Sequence, residues 1–287
     1  MRPVFEWNIG SRVLTLGKRT LLMAVVNVTP DSFSDAGQYL DPEKAIEHAL
    51  KLAEEGADII DIGGESTRPG SKTIPVTEGV ELERVLPVIR GLKSKKPGIP
   101  ISIDTYKASV ARAAFEAGAE VVNDVSGFRW DKQMAKTVAG LKCGAILMHS
   151  RGRPEEWRNL PPAGDIVTLV KRELREWTDA ATLAGVKRER MMIDPGFGFG
   201  KNFEENYPLL RRLEELHQLR YPLTVGVSRK SFIGRMLARG GVDASLPDRQ
   251  FGNVAAEVAA IMKGAQVIRT HDVRASLDAA RVADIAG

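Results

Sequence analysis

The chain has 287 residues, 43% hydrophobic and 27% charged, a balance that excludes disorder, collagen and coiled coil as global descriptions and supplies enough apolar material for a large core. With 41 basic and 37 acidic residues the net charge is +4, and the densest basic clusters, Lys93–Lys96 and Lys187–Arg190, read as solvated helix ends. No nucleic-acid partner is therefore expected, whereas a small anionic substrate suits a mild positive field.

The first element is a short stretch, Val4 to Leu16, that suggests a hairpin. After it one pattern repeats: a short run rich in Val and Ile ends in polar residues, and an amphipathic helical pattern follows. The runs are Leu21–Val28, Ile59–Gly63, Ile101–Asp104, Val121–Asp124, Ala145–His149, Met191–Asp194, Leu223–Ser228 and Val267–His271. In the first helix Ala45, Ile46, Ala49, Leu50 and Ala53 share a face, Asp41 is placed as its N-cap with Pro42 at the first helical position, and Gly56 closes it. Similar units end at Gly118 and Gly185, and the last two helices cover about Gly252–Met262 and Arg274–Ile285. Strands alternating with helices imply parallel pairing and right-handed crossovers. Eight such units in this length predict an α/β fold, a (β/α)8 TIM barrel with a short N-terminal β-hairpin, forming one domain over 1–287. An open doubly wound sheet is the alternative that the pattern alone leaves open.

Cys143 is the lone cysteine, which excludes an internal disulfide framework and a cysteine zinc cluster. The longest apolar run, Leu21–Val26, is far short of the about 20 residues that span a bilayer, and the N-terminus lacks the apolar region of a signal peptide. A cytoplasmic protein without a membrane partner is expected.

In a barrel, reactive groups gather at the C-terminal ends of the strands. Those ends carry Asn27, Asp61 with Glu65, Asp104, Asn123 with Asp124, His149, Asp194, Lys230, and Arg269 with His271. Any one of them could be a helix cap or a structural hydrogen bond. A set at every strand end points to a site, because buried polar groups are costly unless they are used. Asp104, Asn123 and Asp194 could bond the amide and amino edges of a flat heterocycle, with Lys230 beside it. Arg269 and His271 alternate on the eighth strand and read as an anion pocket suited to phosphate. In the loop Asn27–Gly37, Asn27, Asp31 and Asp35 offer hard oxygen ligands that suit Mg2+. The loop Gly63–Gly70 carries Arg68, which could reach a phosphate. The run Asp194–Lys201 is glycine-rich, but its spacing matches neither a P-loop nor a dinucleotide fingerprint. No G-x-S-x-G is present, and the four histidines His48, His149, His217 and His271 do not suggest a multi-histidine zinc site.

Seven segments in chain order carry a family resemblance: N-V-T-P-D-S-F-S-D from Asn27, E-S-T-R-P-G from Glu65, I-D-T at Ile103–Thr105, V-N-D at Val122–Asp124, D-P-G-F-G-F-G-K from Asp194, S-R-K-S at Ser228–Ser231 and R-x-H-D at Arg269–Asp272. Together they resemble dihydropteroate synthases, pterin-binding enzymes of folate synthesis and targets of sulfonamides. The resemblance implies a (β/α)8 homodimer that condenses 6-hydroxymethyl-7,8-dihydropterin diphosphate with 4-aminobenzoate to 7,8-dihydropteroate and diphosphate, in an SN1-like reaction with Mg2+ as cofactor. It implies that Asp104, Asn123, Asp194 and Lys230 hold the pterin, with Met148 and Val125 packed near it, and that Thr67, Arg269 and His271 hold the diphosphate. Asn27, joined by Asp35, would ligate the metal. Ser228, Arg68, Pro69, Phe33 and Phe199 would surround the aminobenzoate or a sulfonamide. Asp104, Lys230, Arg269 and His271 are the residues expected to carry catalysis. The sequence departs from the common pattern at Ala36 and Ser150, and the segment Glu155–Pro162 has no role that the resemblance supplies. A pterin-binding methyltetrahydrofolate–corrinoid methyltransferase is the runner-up; such an enzyme has no use for a diphosphate site.

Overall fold

The computed structural model describes residues 2–29, 41–65 and 75–287. An antiparallel hairpin opens the chain, β1 (Phe5–Asn8) against β2 (Val13–Leu16). Eight parallel strands follow: β3 (Leu21–Asn27), β4 (Ile59–Gly63), β5 (Ile101–Asp104), β6 (Val121–Asp124), β7 (Gly144–Met148), β8 (Met191–Asp194), β9 (Thr224–Val225) and β10 (Val267–Thr270). Their spatial order is β9-β10-β3-β4-β5-β6-β7-β8, and a further parallel bridge between Ile193 and Leu223 closes the ring. The barrel and its hairpin are thus as the sequence pattern predicts. The seventh strand is shorter than expected: pairing stops at Val225, before Gly226. Gly226 lies against Arg269 at ordinary contact distance: a Cβ there would be 3.7 Å from the arginine Cβ.

Around the ring run α1 (Pro42–Glu54), α2 (Glu78–Lys95), α3 (Ala108–Ala117), α4 (Met134–Leu141), α5 (Ile166–Leu183), α6 (Asn206–Arg211), α7 (Ser231–Met236), α8 (Gln250–Met262) and α9 (Val273–Ala286). Asp41 caps α1, its carboxylate accepting from the Glu43 N–H at 3.0 Å, and Pro42 supplies the fixed φ of the first turn. Gly118 ends α3 in left-handed geometry at φ 117°, which a side chain would oppose.

The strands are buried on both faces, yet the two faces differ in chemistry. Outward positions such as Leu22, Ala24, Ile60, Ile62, Ile101, Ile103, Val122, Leu147 and Ile193 join the helices in one apolar layer. Inward positions form a second cluster, Leu21, Met23, Ile59, Val121, Ile146, Met192 and Val267, which the hairpin residues Trp7, Ile9 and Leu16 plug from below. Trp7 is fully buried, and its indole N–H donates to the Arg190 carbonyl at 2.8 Å. One or two steps further along the same inward parity, the residues turn polar: Asp61, Asp104, Asn123, Asp194 and Arg269. The barrel is therefore apolar at its floor and charged at its C-terminal mouth.

Candidate active site

Arg269 is the centre of the mouth. Its Nε donates to Asp61 Oδ2 at 2.7 Å and its Nη2 to Asp104 Oδ2 at 2.6 Å. Asn123 Nδ2 donates to the same Asp61 oxygen at 3.1 Å. Four strands thus contribute to one hydrogen-bonded cluster: β4, β5, β6 and β10. Burial works against the Arg269 charge, but Asp61 and Asp104 outweigh it and hold the pKa above the ordinary arginine value. Burial pushes the Asp104 carboxyl up to about 7 against the pull of Arg269. The same cause lifts Asp194 to about 6, offset by the Gly196 N–H, Lys230 and Arg269. Asp194 Oδ1 accepts from the Gly196 N–H at 2.7 Å, so the carboxylate and the glycine-rich loop after β8 are tied together.

Beside the polar cluster stands an apolar wall of Val125, Met148 and Phe199, backed by Tyr106, Trp130 and Trp157. The Lys230 ammonium lies over the Phe199 ring, 4.0 Å from its centre. His271 Nδ1 and Ser228 Oγ are 3.2 Å apart. Asn27, at the end of β3, faces Asp104 across Gly63: a Cβ on that glycine would sit 3.7 Å from both Asn27 Oδ1 and Asp104 Oδ2. Charged groups that hydrogen-bond a heterocycle's edge, next to an apolar surface for its face, make a pocket suited to a flat polar ring.

The structure thus brings together Asn27, Asp104, Asn123, Val125, Met148, Asp194, Phe199, Ser228, Lys230, Arg269 and His271 around the C-terminal mouth. Phe33, Asp35, Thr67, Arg68 and Pro69 lie outside the described residues. Three expectations need correction. Arg269 and His271 do not alternate on one strand, because β10 ends at Thr270; Arg269 turns inward to two carboxylates and His271 lies beyond the strand against Ser228. Asp124 is outward, where it accepts from the Ser126 and Phe128 N–H groups and stabilises a turn. His149 is outward too, fully buried, stacked on Trp177 and bonded to Glu173 and Lys201. Asp61 is the residue that sequence reasoning left without a role, although its parity with Ile59 on β4 marks it as inward. A second unassigned group lies at Glu65, just after β4. There the Lys107 ammonium pairs with Glu65 and Glu81, both at 2.5 Å, and Tyr106 donates to Glu65 at 3.0 Å.

Comparison with known proteins agrees with this geometry. The sequence profile of the pterin-binding enzymes matches residues 23–271. A dihydropteroate synthase of Synechocystis is 44% identical, with 96% of this chain and 93% of the relative aligned. A solved Xanthomonas albilineans dihydropteroate synthase with 4-aminobenzoic acid superposes with a TM-score of 0.88 at 43% identity, over 100% of this chain and 98% of that one. A Yersinia pestis dihydropteroate synthase in complex with a sulfonamide drug superposes at 0.86 and 38% identity, covering 95% and 96%. The chain belongs to the pterin-binding enzyme family. Within it, the chain groups with the dihydropteroate synthases, which are transferases.

Proposed function

We propose that this chain joins 6-hydroxymethyl-7,8-dihydropterin diphosphate to 4-aminobenzoate, releasing diphosphate and forming 7,8-dihydropteroate. The observation that carries the reading is the convergence of Asp61, Asp104, Asn123, Asp194 and Arg269 on one mouth beside the Val125–Met148–Phe199 wall. Asp104, Asn123, Asp194 and Lys230 hold the pterin, and Met148 and Val125 pack against its face. As the C–O bond to diphosphate breaks, positive charge spreads from the methylene into the ring, and the buried carboxylates of Asp104 and Asp194 offset it. Arg269 and His271, together with Thr67 of the second loop, receive the departing diphosphate. The amine of 4-aminobenzoate then attacks the methylene carbon and passes its proton to water; a neutral aniline needs no strong base, in keeping with the lack of a nucleophile motif. Ser228, Phe199, Arg68, Pro69 and Phe33 surround this second substrate, and the same groups would bind a sulfonamide.

The donor set also suits a magnesium ion. The Asn27 amide oxygen is a hard ligand placed at the mouth next to the Asp104 carboxylate, and Asp35 would join it. When bound, the ion supplies charge neutralisation for the diphosphate.

We further propose that the protein is a homodimer through α8 and α9. Phe251 and Met262 lie three turns apart on one face of α8, 86% and 51% exposed, and Val282 and Ile285 lie one turn apart on α9, 68% and 90% exposed. These helices pack against each other, and a second copy would cover these exposed apolar side chains. Sedimentation should give a dimer, and Phe251→Asp with Ile285→Lys should give a monomer.

The reaction is tested by diphosphate release. Release should require both substrates and a divalent cation, and should fall on the order of 10²-fold or more in Lys230→Ala. Methyl transfer from methyltetrahydrofolate with no diphosphate released would overturn the reading.

A further inference from the structure

The loop that follows β8, Pro195 to Lys201, carries Phe199 and yet, with three glycines, has little stiffness of its own. Gly196, Gly198 and Gly200 all take left-handed conformations, at φ 66°, 81° and 65°. Within this turn the Phe199 N–H donates to the Gly196 carbonyl at 3.1 Å, and Asn206 receives the Gly198 N–H at 2.7 Å. A segment with three glycines has many alternative conformations, so something else must select this one.

Asp194 and Asn206 accept from two of its N–H groups, and two further side chains hold it from beneath and from the side. Lys201 is only 7% exposed, and its ammonium donates beneath the loop to the carbonyls of Gly196 (2.8 Å), Phe199 (3.2 Å) and His149 (3.3 Å) and to His149 Nδ1 (2.9 Å). The Glu173 carboxylate can only accept, so His149 Nε2 carries the proton that it accepts at 3.1 Å, and Nδ1 is the acceptor facing Lys201, whose own pKa burial pulls down to about 7. The carbonyls that Lys201 grips are the two ends of the turn whose middle holds Gly198. From the side comes Trp157, in the Glu155–Pro162 segment. Its ring meets Phe199 edge-on, 5.3 Å between centres, and its N–H is anchored to the Gly152 carbonyl at 3.2 Å. The two loops cross at Gly200, where a Cβ would lie 2.5 Å from the Arg151 carbonyl and 3.0 Å from Trp157 Cδ1. Between these supports the Phe199 ring lies under the Lys230 ammonium.

We infer that Lys201 and Trp157 are positioning residues: they hold Phe199 from beneath and from the side, and through it they set where the Lys230 ammonium stands in the site. The inference rests on the reading of Phe199 and Lys230 as substrate-site residues and adds the machinery that places them. Neither Lys201 nor Trp157 is assigned a contact with substrate; each acts through the Phe199 ring. Burying an ammonium among carbonyls is costly, and the position it imposes on this loop is the return for it.

The test is steady-state kinetics with 4-aminobenzoate varied at saturating pterin diphosphate. Trp157 is half-buried, and Trp157→Ala should fold and melt within a few degrees of the parent. Its KM for 4-aminobenzoate should rise about 3- to 10-fold with kcat nearly unchanged, the scale expected for losing one edge-to-face pair. Trp157→Phe, which keeps an aromatic edge, should recover most of the loss. Lys201→Met should raise the same KM about tenfold or more. Combined with Phe199→Ala, either variant should be far less harmful than the product of the single effects, because both work through that ring. Multiplying losses, or an unchanged KM in Trp157→Ala, would overturn the inference. If Lys201→Met fails to fold, the Trp157 series and its cycle with Phe199 decide the matter. Lys230→Ala, measured in parallel, tests the assignment of the site separately: activity that survives it sinks the site, whatever the cycle gives.

Discussion

At the scale of single residues, the site is a problem of placing charge out of water. Asp61 is fully buried and shares one oxygen between Arg269 and Asn123. Removing its charge leaves Arg269 with a single carboxylate partner and Asn123 with a weaker acceptor. Asp61→Asn should therefore cost on the order of 10²-fold in kcat/KM, with KM for the pterin substrate rising, measured by initial rates. Asp104 is the site group expected to govern the pH dependence of the reaction. Its carboxyl is raised to about 7, so it is largely protonated below that pH and ionised above. A carboxylate that offsets cationic character in the pterin must be ionised, so kcat/KM should fall as pH drops from 8 through 7 to 6, with Asp194 adding a lower step near 6. Asp104→Asn should remove the upper inflection and lower the plateau; a flat wild-type profile over this range would contradict the role. The sequence made Asp104, Asn123, Asp194 and Arg269 legible, because each closes an apolar run with a polar group. Asp61 stood in the same view, but its importance follows from its partners, which come from strands up to 208 residues away.

At the scale of elements, inward or outward parity decides what a strand-end residue does. Asp104, Asn123, Asp194 and Arg269 step by two from inward neighbours, whereas Asp124 and His149 step from outward ones and bond to turns and helices instead. His149 is the measurable case. Burial and the neighbouring Lys201 hold its pKa down to about 3, so the folded protein leaves it neutral while the unfolded chain protonates it below about 6.5. Its contribution to stability is complete above pH 6.5 and is lost as pH falls toward 3, on the order of 2 kcal/mol by pH 5. Urea unfolding of wild type and His149→Gln at pH 7 and pH 5 should show a shallower decline in the variant. The loop after β8 gives a harsher prediction. Gly196 is left-handed, and a Cβ there would lie 1.9 Å from the His149 carbonyl oxygen. Gly196→Ala should therefore lose more than about 2 kcal/mol and most activity together, seen as a lower urea midpoint and a low kcat. The helix limits were legible in Asp41, Pro42 and Gly118, since caps are local chemistry. The short β9 was not, because where its pairing with β10 stops, after Val225, depends on a strand more than 40 residues further along the chain.

At the scale of the whole molecule, the barrel separates stability from chemistry along its axis. The floor is apolar and sealed by the hairpin through Trp7, Ile9 and Leu16, while the ionised groups sit at the opposite mouth. Trp7→Ala should cost about 3–5 kcal/mol by leaving a cavity in that seal, read as a lower thermal midpoint, with kcat per folded molecule close to wild type. A large change in kcat would mean that floor and mouth are coupled. No helix among the described residues is long and apolar enough to cross a membrane. The amino-acid order by itself determined the alternation of eight buried strands with helices, the helix caps, and the chemical type of nearly every group at the mouth, because periodicity and local hydrogen bonding act over a few residues. Only the folded ring decided which of those groups meet: that Asp61 and Asp104 share Arg269, that Asp124 and His149 turn away, and that Trp157 and Lys201 grip Phe199. Such pairings join residues far apart along the chain, and their energies depend on a burial that does not exist until the ring has closed.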